Sequence, residues 1–182
     1  MQQYDWYADI PANMSLEQGD IIEKCNIIEQ NYDAILNGDE SEMNVITIDA
    51  IVLSQSCDIE NDKIDSIILC PILSLRNLPF IDPVKEKEAR RQREALRQGT
   101  NIAYHLLNKI EIKALPEDYY VVSFRHIYSV PKKFIEKTFK NSVRKRLLPP
   151  YREHLSQSFA RYFMRVGLPS NISAAEIKEY GK

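Results

Sequence analysis

Glycine is scarce: there are five in 182 residues. They never gather into a loop of the kind that cradles a nucleotide phosphate. Cysteine is equally sparse. Cys25, Cys57 and Cys70 are odd in number and form no CxxC pair, which excludes a disulfide framework and fits reduced thiols in a cytoplasmic setting. The histidines and cysteines are scattered, without the closely spaced ligand pairs that zinc sites use. No metal or other cofactor is expected. No apolar run approaches the roughly 18 residues of a membrane span, and MQQYDWYADIPANM lacks the basic start and apolar stretch of a signal peptide. Charge of neither sign dominates: 24 Lys and Arg stand against 26 Asp and Glu, a net −2. The whole molecule therefore has no polyanion-attracting field, so a nucleic-acid surface has to be a local patch.

A 44% apolar share with 27% charged residues suits one packed domain with a soluble surface. Residues 1–17 read as an irregular arm that Tyr4, Trp6 and Tyr7 can anchor. Strands are expected over Ile21–Ile28, Val45–Ser54 and Ile64–Ile72, the last two nearly continuous in apolar residues and so buried on both faces. From Pro83 the chain becomes VKEKEARRQREALRQG, a charged helix with a thin apolar stripe, stopped by Gly99. Strands resume over Ile102–Leu107, Ile110–Ile112 and Tyr119–Tyr128. A short helix runs to Phe139, and a longer one is bounded by Pro149-Pro150 and Gly167, over 151–166. Ser173 and Glu176 form a capping box for a terminal helix or tail, 170–182.

Four groups of side chains carry candidate chemistry. Ser54, Ser56, Cys57 and Asp58 follow a buried strand directly. Cys57 reads as a nucleophile if His126 or His154 serves as its base, or as a small packed hydrophobe with Asp58 capping the turn. Arg125 and His126 adjoin one another on a late strand, one suited to hold a phosphate and the other to move a proton. His154, Ser158, Arg161 and Arg165 are spaced four, three and four apart, so they share one helix flank with no acid among them. Between Lys132 and Arg152 lie eight cations, including Arg144, Lys145 and Arg146, against the single acid Glu136. That run reads as a surface for RNA or an acidic protein, or as a solvated loop.

Several stretches, in order, resemble the MazF/PemK growth-inhibitor family. Gly19-Asp20-Ile21-Ile22 is similar to the start of that family's first strand. IDAIVLSQSCDIEN, 48–61, resembles its next strand and turn, SIILCPI the strand after that, and YYVVSFRHIYSVPKKFIE, 119–136, its late strand and helix. The resemblance implies a mainly β fold with α additions: an SH3-type β-barrel over 18–169, with the charged helix of 83–99 inserted and helices at the C-terminal end. It also implies an RNA-directed effector or regulator in a prokaryotic toxin–antitoxin or phage-defence setting, with a homodimer as the default. The family's catalytic arginine would fall at Asp49 or Ala50 and its hydroxyl at Leu73, beside Ser74, so its usual pair is missing. A metal-independent endoribonuclease with a different site follows, or a non-catalytic interaction module that kept the barrel. An RNA actor should gather cations around a groove holding a histidine or hydroxyl. An interaction module should expose an apolar groove or a sheet edge.

Overall fold

The computed structural model describes residues 4–38, 43–112, 115–139 and 141–164. In chain order the strands are β1 (Tyr7–Ile10), β2 (Ile21–Gln30), β3 (Met43–Val52), β4 (Ser66–Ser74), β5 (Tyr104–Leu106), β6 (Ile110–Ile112), β7 (Leu115–Asp118), β8 (Tyr120–Ser123), β9 (Tyr128–Pro131) and β10 (Arg144–Leu147). The α-helices are α1 (Tyr32–Asn37), α2 (Ser56–Glu60), α3 (Glu86–Arg97), α4 (Lys132–Phe139) and α5 (Tyr151–Phe163). The architecture is mixed, with helices set around an antiparallel sheet of six strands, β2-β3-β4-β8-β5 with β9 also on β4. Among the described residues no helix is long and apolar enough to cross a membrane.

Alternation along the central strands supplies a buried surface on each face. Ile21, Ile51, Cys70, Ile72 and Val122 point into one cluster, closed by Leu155 of α5. Their neighbours Ile22, Ala50, Val52 and Leu69 point into a second, closed by Ile59 of α2 and Ile135 of α4. This two-sided burial is what the near-continuous apolar runs predict, and β3 and β4 are direct neighbours through Ile51↔Cys70 and Val52↔Leu69. Helix α3 covers a third cluster through Ala89 and Leu96, over Tyr104 and Val121. Its thin apolar stripe is therefore sufficient to seat it, and Gly99 ends it in a left-handed conformation at φ +65°.

Three elements differ from the sequence expectation. The expected irregular arm contains β1, which pairs with β10, itself read only as part of a basic run. The turn after β3 is the one-and-a-half-turn helix α2, because Ser56–Glu60 follows a buried strand with no glycine to tighten the loop. The expected strand over Tyr119–Tyr128 is interrupted. β8 and β9 lie along the same edge of β4, registering Val122↔Ile72 and Tyr128↔Leu69. Arg125 and His126 occupy the excursion between them, both exposed.

A buried ionic cluster joins β10 to the start of β2. The Asp20 carboxylate, fully excluded from solvent, accepts from Arg144 Nε at 2.7 Å and from Arg146 Nε and Nη2 at 2.5 and 3.0 Å. It also accepts from the Glu17 backbone N–H at 3.0 Å. The guanidinium groups continue to the carbonyls of Met14 and Ser15, and Arg146 reaches Glu17 at 2.5 Å. Gly19 permits this approach: a Cβ there would lie 2.9 Å from the Leu147 carbonyl oxygen, and its φ is +86°.

Replacing Asp20 by Asn leaves two buried cations short of their counter-charge. Urea unfolding of Asp20→Asn should show a loss of about 3–5 kcal/mol. A loss within about 0.5 kcal/mol, as for an ordinary surface change, contradicts the structural role assigned to the cluster.

Candidate functional site

Helix α5 is fixed by its apolar side. Leu155 is fully buried, and Phe159 and Tyr162 pack on Phe124 with ring centroids 5.4 and 5.9 Å away. At its start Tyr151 stacks on Trp6 of the N-terminal arm, centroids 3.6 Å apart and planes within 10°. These anchors turn His154, Ser158 and Arg161 toward a cleft of about 470 Å³. Its other walls are β5 and the chain leaving α3, with Arg97, Gln98 and Asn101.

The third histidine, His105, stands at the centre. Tyr104 of β5 points under α3, so alternation sends His105 to the opposite face, where α5 lies. His105 Nδ1 is 3.0 Å from Ser158 Oγ. Burial, assisted by the charges of His154 and Arg161, lowers the His105 pKa from 6.5 to about 4. The ring is thus neutral at physiological pH. In the tautomer that donates from Nδ1 to Ser158, its Nε2 lone pair is free to accept a proton. Among the described residues no Asp or Glu lines the cleft. Arg97 there is paired with Glu94 at 2.6 Å, whereas His154 and Arg161 are exposed. The described lining of the cleft thus offers two imidazoles, the Ser158 hydroxyl and the Arg161 guanidinium, with Arg97 already paired, a set of groups that suits an anion.

The structure brings together three of the four members of the helix stripe; Arg165 lies outside the described residues. The other expected positions are dispersed. Ser56 Oγ accepts from the Gln18 backbone N–H at 3.1 Å, which ties α2 to the arm. Exposed Cys57 faces two oxygen acceptors, Gln55 Oε1 at 3.8 Å and Asp58 Oδ1 at 3.7 Å, and neither His126 nor His154 adjoins it. Arg125 and His126 sit on the β8–β9 excursion instead of on a strand, so alternation does not separate them. Arg144 and Arg146, expected to support the ligand face, are committed to Asp20 beneath the surface, because β10 packs their stems against β2. Lys145, between them, points outward to Asp9 at 2.7 Å. Lys132, from the same basic run, is buried and joins Asp62, Glu136 and the Ile59 carbonyl.

At the positions aligned with the family's catalytic pair, Asp49 Oδ1 accepts from the Lys24 backbone N–H at 2.8 Å, and Ala50 is in the core. Leu73 is partly exposed, and Ser74 donates to Asp118 at 2.8 Å, with Arg76 3.2 Å from the same oxygen. Among the described residues no group of three or more His, Cys, Asp and Glu is placed to hold a metal ion.

Two measurements test this description. A histidine whose folded pKa lies below its unfolded value stabilises the fold fully above pH 6.5 and loses that contribution as pH falls toward 4. Unfolding free energy should drop by up to about 3 kcal/mol over that window, and His105→Gln should remove the drop. Among the cysteines, burial pushes Cys25 up to about 11 and Cys70 up to about 12, while Cys57 is exposed. A thiol-disulfide reagent should titrate one thiol in the native protein and none in Cys57→Ser; two or more reactive thiols contradict the placement. Comparisons with family models, with curated proteins and with solved structures return no match for this chain, so its function is read from the cleft itself.

Proposed function

We propose that the protein is an RNA-directed effector that cleaves RNA without metal at the cleft between β5 and α5. The observation that carries this reading is the His105–Ser158 contact flanked by His154 and Arg161, in a cavity to which the described residues bring no carboxylate. Cleavage by transesterification needs a base for the 2′-OH proton, an acid for the departing 5′-oxygen and a cation for the phosphorane. His105, neutral and oriented by Ser158, takes the proton as the 2′-oxygen attacks phosphorus. His154, at the solvent-exposed lip, supplies a proton to the 5′-oxygen as its bond to phosphorus breaks. Arg161 faces the phosphoryl oxygens, to which its planar fork is matched. The products are a 2′,3′-cyclic phosphate and a 5′-hydroxyl. A bound phosphate also offsets the repulsion that His105 feels from His154 and Arg161, raising its basicity when substrate is present.

The same proposal includes a MazF/PemK-like SH3-type barrel as the scaffold. Supporting it, the sheet β5-β8-β4-β3-β2 continues to β10 through the Asp20↔Arg146 bridge, and β10 pairs with β1. β1 returns to the chain after β5, where Tyr7 Oη donates to the Asn108 carbonyl at 3.0 Å. In this reading these strands surround the cluster of Ile21, Ile51, Tyr120 and Phe124. A toxin–antitoxin or phage-defence role, in the cytoplasm, belongs to this reading.

The test is cleavage of single-stranded RNA by highly purified protein in EDTA, with product ends identified by mass. His105→Asn and His154→Gln should each lower the rate about 10²- to 10⁴-fold, and Arg161→Ala about 10²-fold or more. Ser158→Ala, which removes only the orienting contact, should cost about tenfold. Full loss in Ser158→Ala with a 3′-phosphoryl serine intermediate points instead to a covalent nucleophile. Cleavage unchanged by the histidine replacements, or absent from the parent protein, sinks the proposal.

A further inference from the structure

The end of the sheet remote from the cleft has a contrasting character. Among the described residues β2 is a terminal strand, paired with β3 alone after the bulge that separates Ile22 from Cys25. One face of the outer β2–β3 ribbon is covered: Cys25, Ile27, Ile46 and Ile48 belong to the second core cluster. The opposite face is exposed among the described residues. Ile28 and Val45 meet directly across the ladder there, and Met43 lies two residues along the same face, all three well exposed. Helix α1 follows at the tip and buries none of its residues. Tyr32, Ile35 and Leu36 fall on one side of it by their three- and four-residue spacing, with exposures from 46% at Ile35 to 83% at Leu36. Six large apolar side chains beside an unpaired strand edge form the surface on which another strand adds.

Charge decides what kind of chain this is. Lys, Arg and His are absent from Cys25 through Asp62, while the same stretch has nine Asp and Glu, in a protein whose totals nearly balance. Glu29 lies on the covered side of β2 and Asp33 in the first turn of α1. These two acids, with no cation between them in the chain, disfavour RNA and anionic lipid alike. They attract a cationic polypeptide. Alternation along β2 then sets the pattern of the guest, because Ile28 and Glu29 point to opposite faces. An apolar guest residue extends the Ile28–Val45 face, and the next one places a cation beside Glu29, which also accepts from Tyr128.

We propose that the free edge of β2, with the exposed ribbon face and α1, docks an extended segment of another protein in which apolar residues alternate with Lys or Arg. This surface is separate from the His105 cleft and does not depend on RNA cleavage.

The probe is a labelled nonapeptide alternating Val and Lys, followed by fluorescence anisotropy against the full chain. It should bind saturably, and a Ser-Lys peptide of equal charge should bind about tenfold more weakly or not at all. Ile28→Asp separates the two contributions, because it removes an apolar contact while adding negative charge. Docking requires this variant to bind about tenfold more weakly; simple charge attraction makes it bind as well or better. N-methylation of alternate peptide residues should abolish binding, since strand addition needs the guest's N–H groups. The proposal is overturned if the Val-Lys peptide fails to bind, if Ile28→Asp or N-methylation leaves binding intact, or if sedimentation shows a dimer that Ile28→Asp dissociates. RNA cleavage by Ile28→Asp should match that of the parent, so failure of this surface and failure of the cleft are separately visible.

Discussion

A single carboxylate fixes how the two ends of the chain meet. Asp20 is fully buried, and an unpaired charge at that depth would be prohibitive. Arg144 and Arg146 satisfy it from more than 120 residues away in sequence, and the arm contributes Glu17 and the carbonyls of Met14 and Ser15. Three segments, which also meet in one apolar cluster through Trp6, Tyr7, Ile21 and Leu147, are thereby locked in one register. Alternation along β10 explains why two arginines serve one acid: Arg144 and Arg146 share a face, and Lys145 between them turns outward to Asp9.

That lock also positions the cleft. Once β10 is held on β2, Leu148 donates its backbone N–H to the Trp6 carbonyl at 2.8 Å, and α5 begins three residues later with Tyr151 against the Trp6 ring. The helix start is thus clamped by the arm while its middle is seated by Leu155 in the core. Ser158 can reach His105 only because both constraints act on a single rigid helix. The arm, which makes one short strand, accordingly contributes to the placement of residues it does not resemble in chemistry.

Much of the sheet was legible because its signals are local. Nearly continuous apolar runs mark β3 and β4, and Gly99 and the proline pair bound their helices. The stripe of His154, Ser158 and Arg161 was visible from helical spacing, and the structure places all three on one cleft. His105 was missed for a physical reason. A histidine inside an apolar strand looks like any half-buried residue, and its importance arises from Ser158, 53 positions away, which no local pattern reports. Arg144 and Arg146 misled for the complementary reason. In sequence a guanidinium near other cations reads as a surface group, and only the distant Asp20 reveals that it is buried.

Two places in the molecule then differ in a way that balanced composition conceals. The stretch from Cys25 to Asp62 has no cation, and within it β2 and α1 carry Glu29 and Asp33 beside exposed apolar side chains. Among the described residues the cleft sets no carboxylate beside His105, His154 and Arg161, while Arg97 is paired with Glu94. His105 responds to this setting: burial first, then the charges of His154 and Arg161, keeps the ring neutral. Such a site is relieved by an incoming anion, and the tighter the anion binds, the more readily His105 accepts a proton. An anion bound beside His105 is thus coupled to proton uptake by the ring.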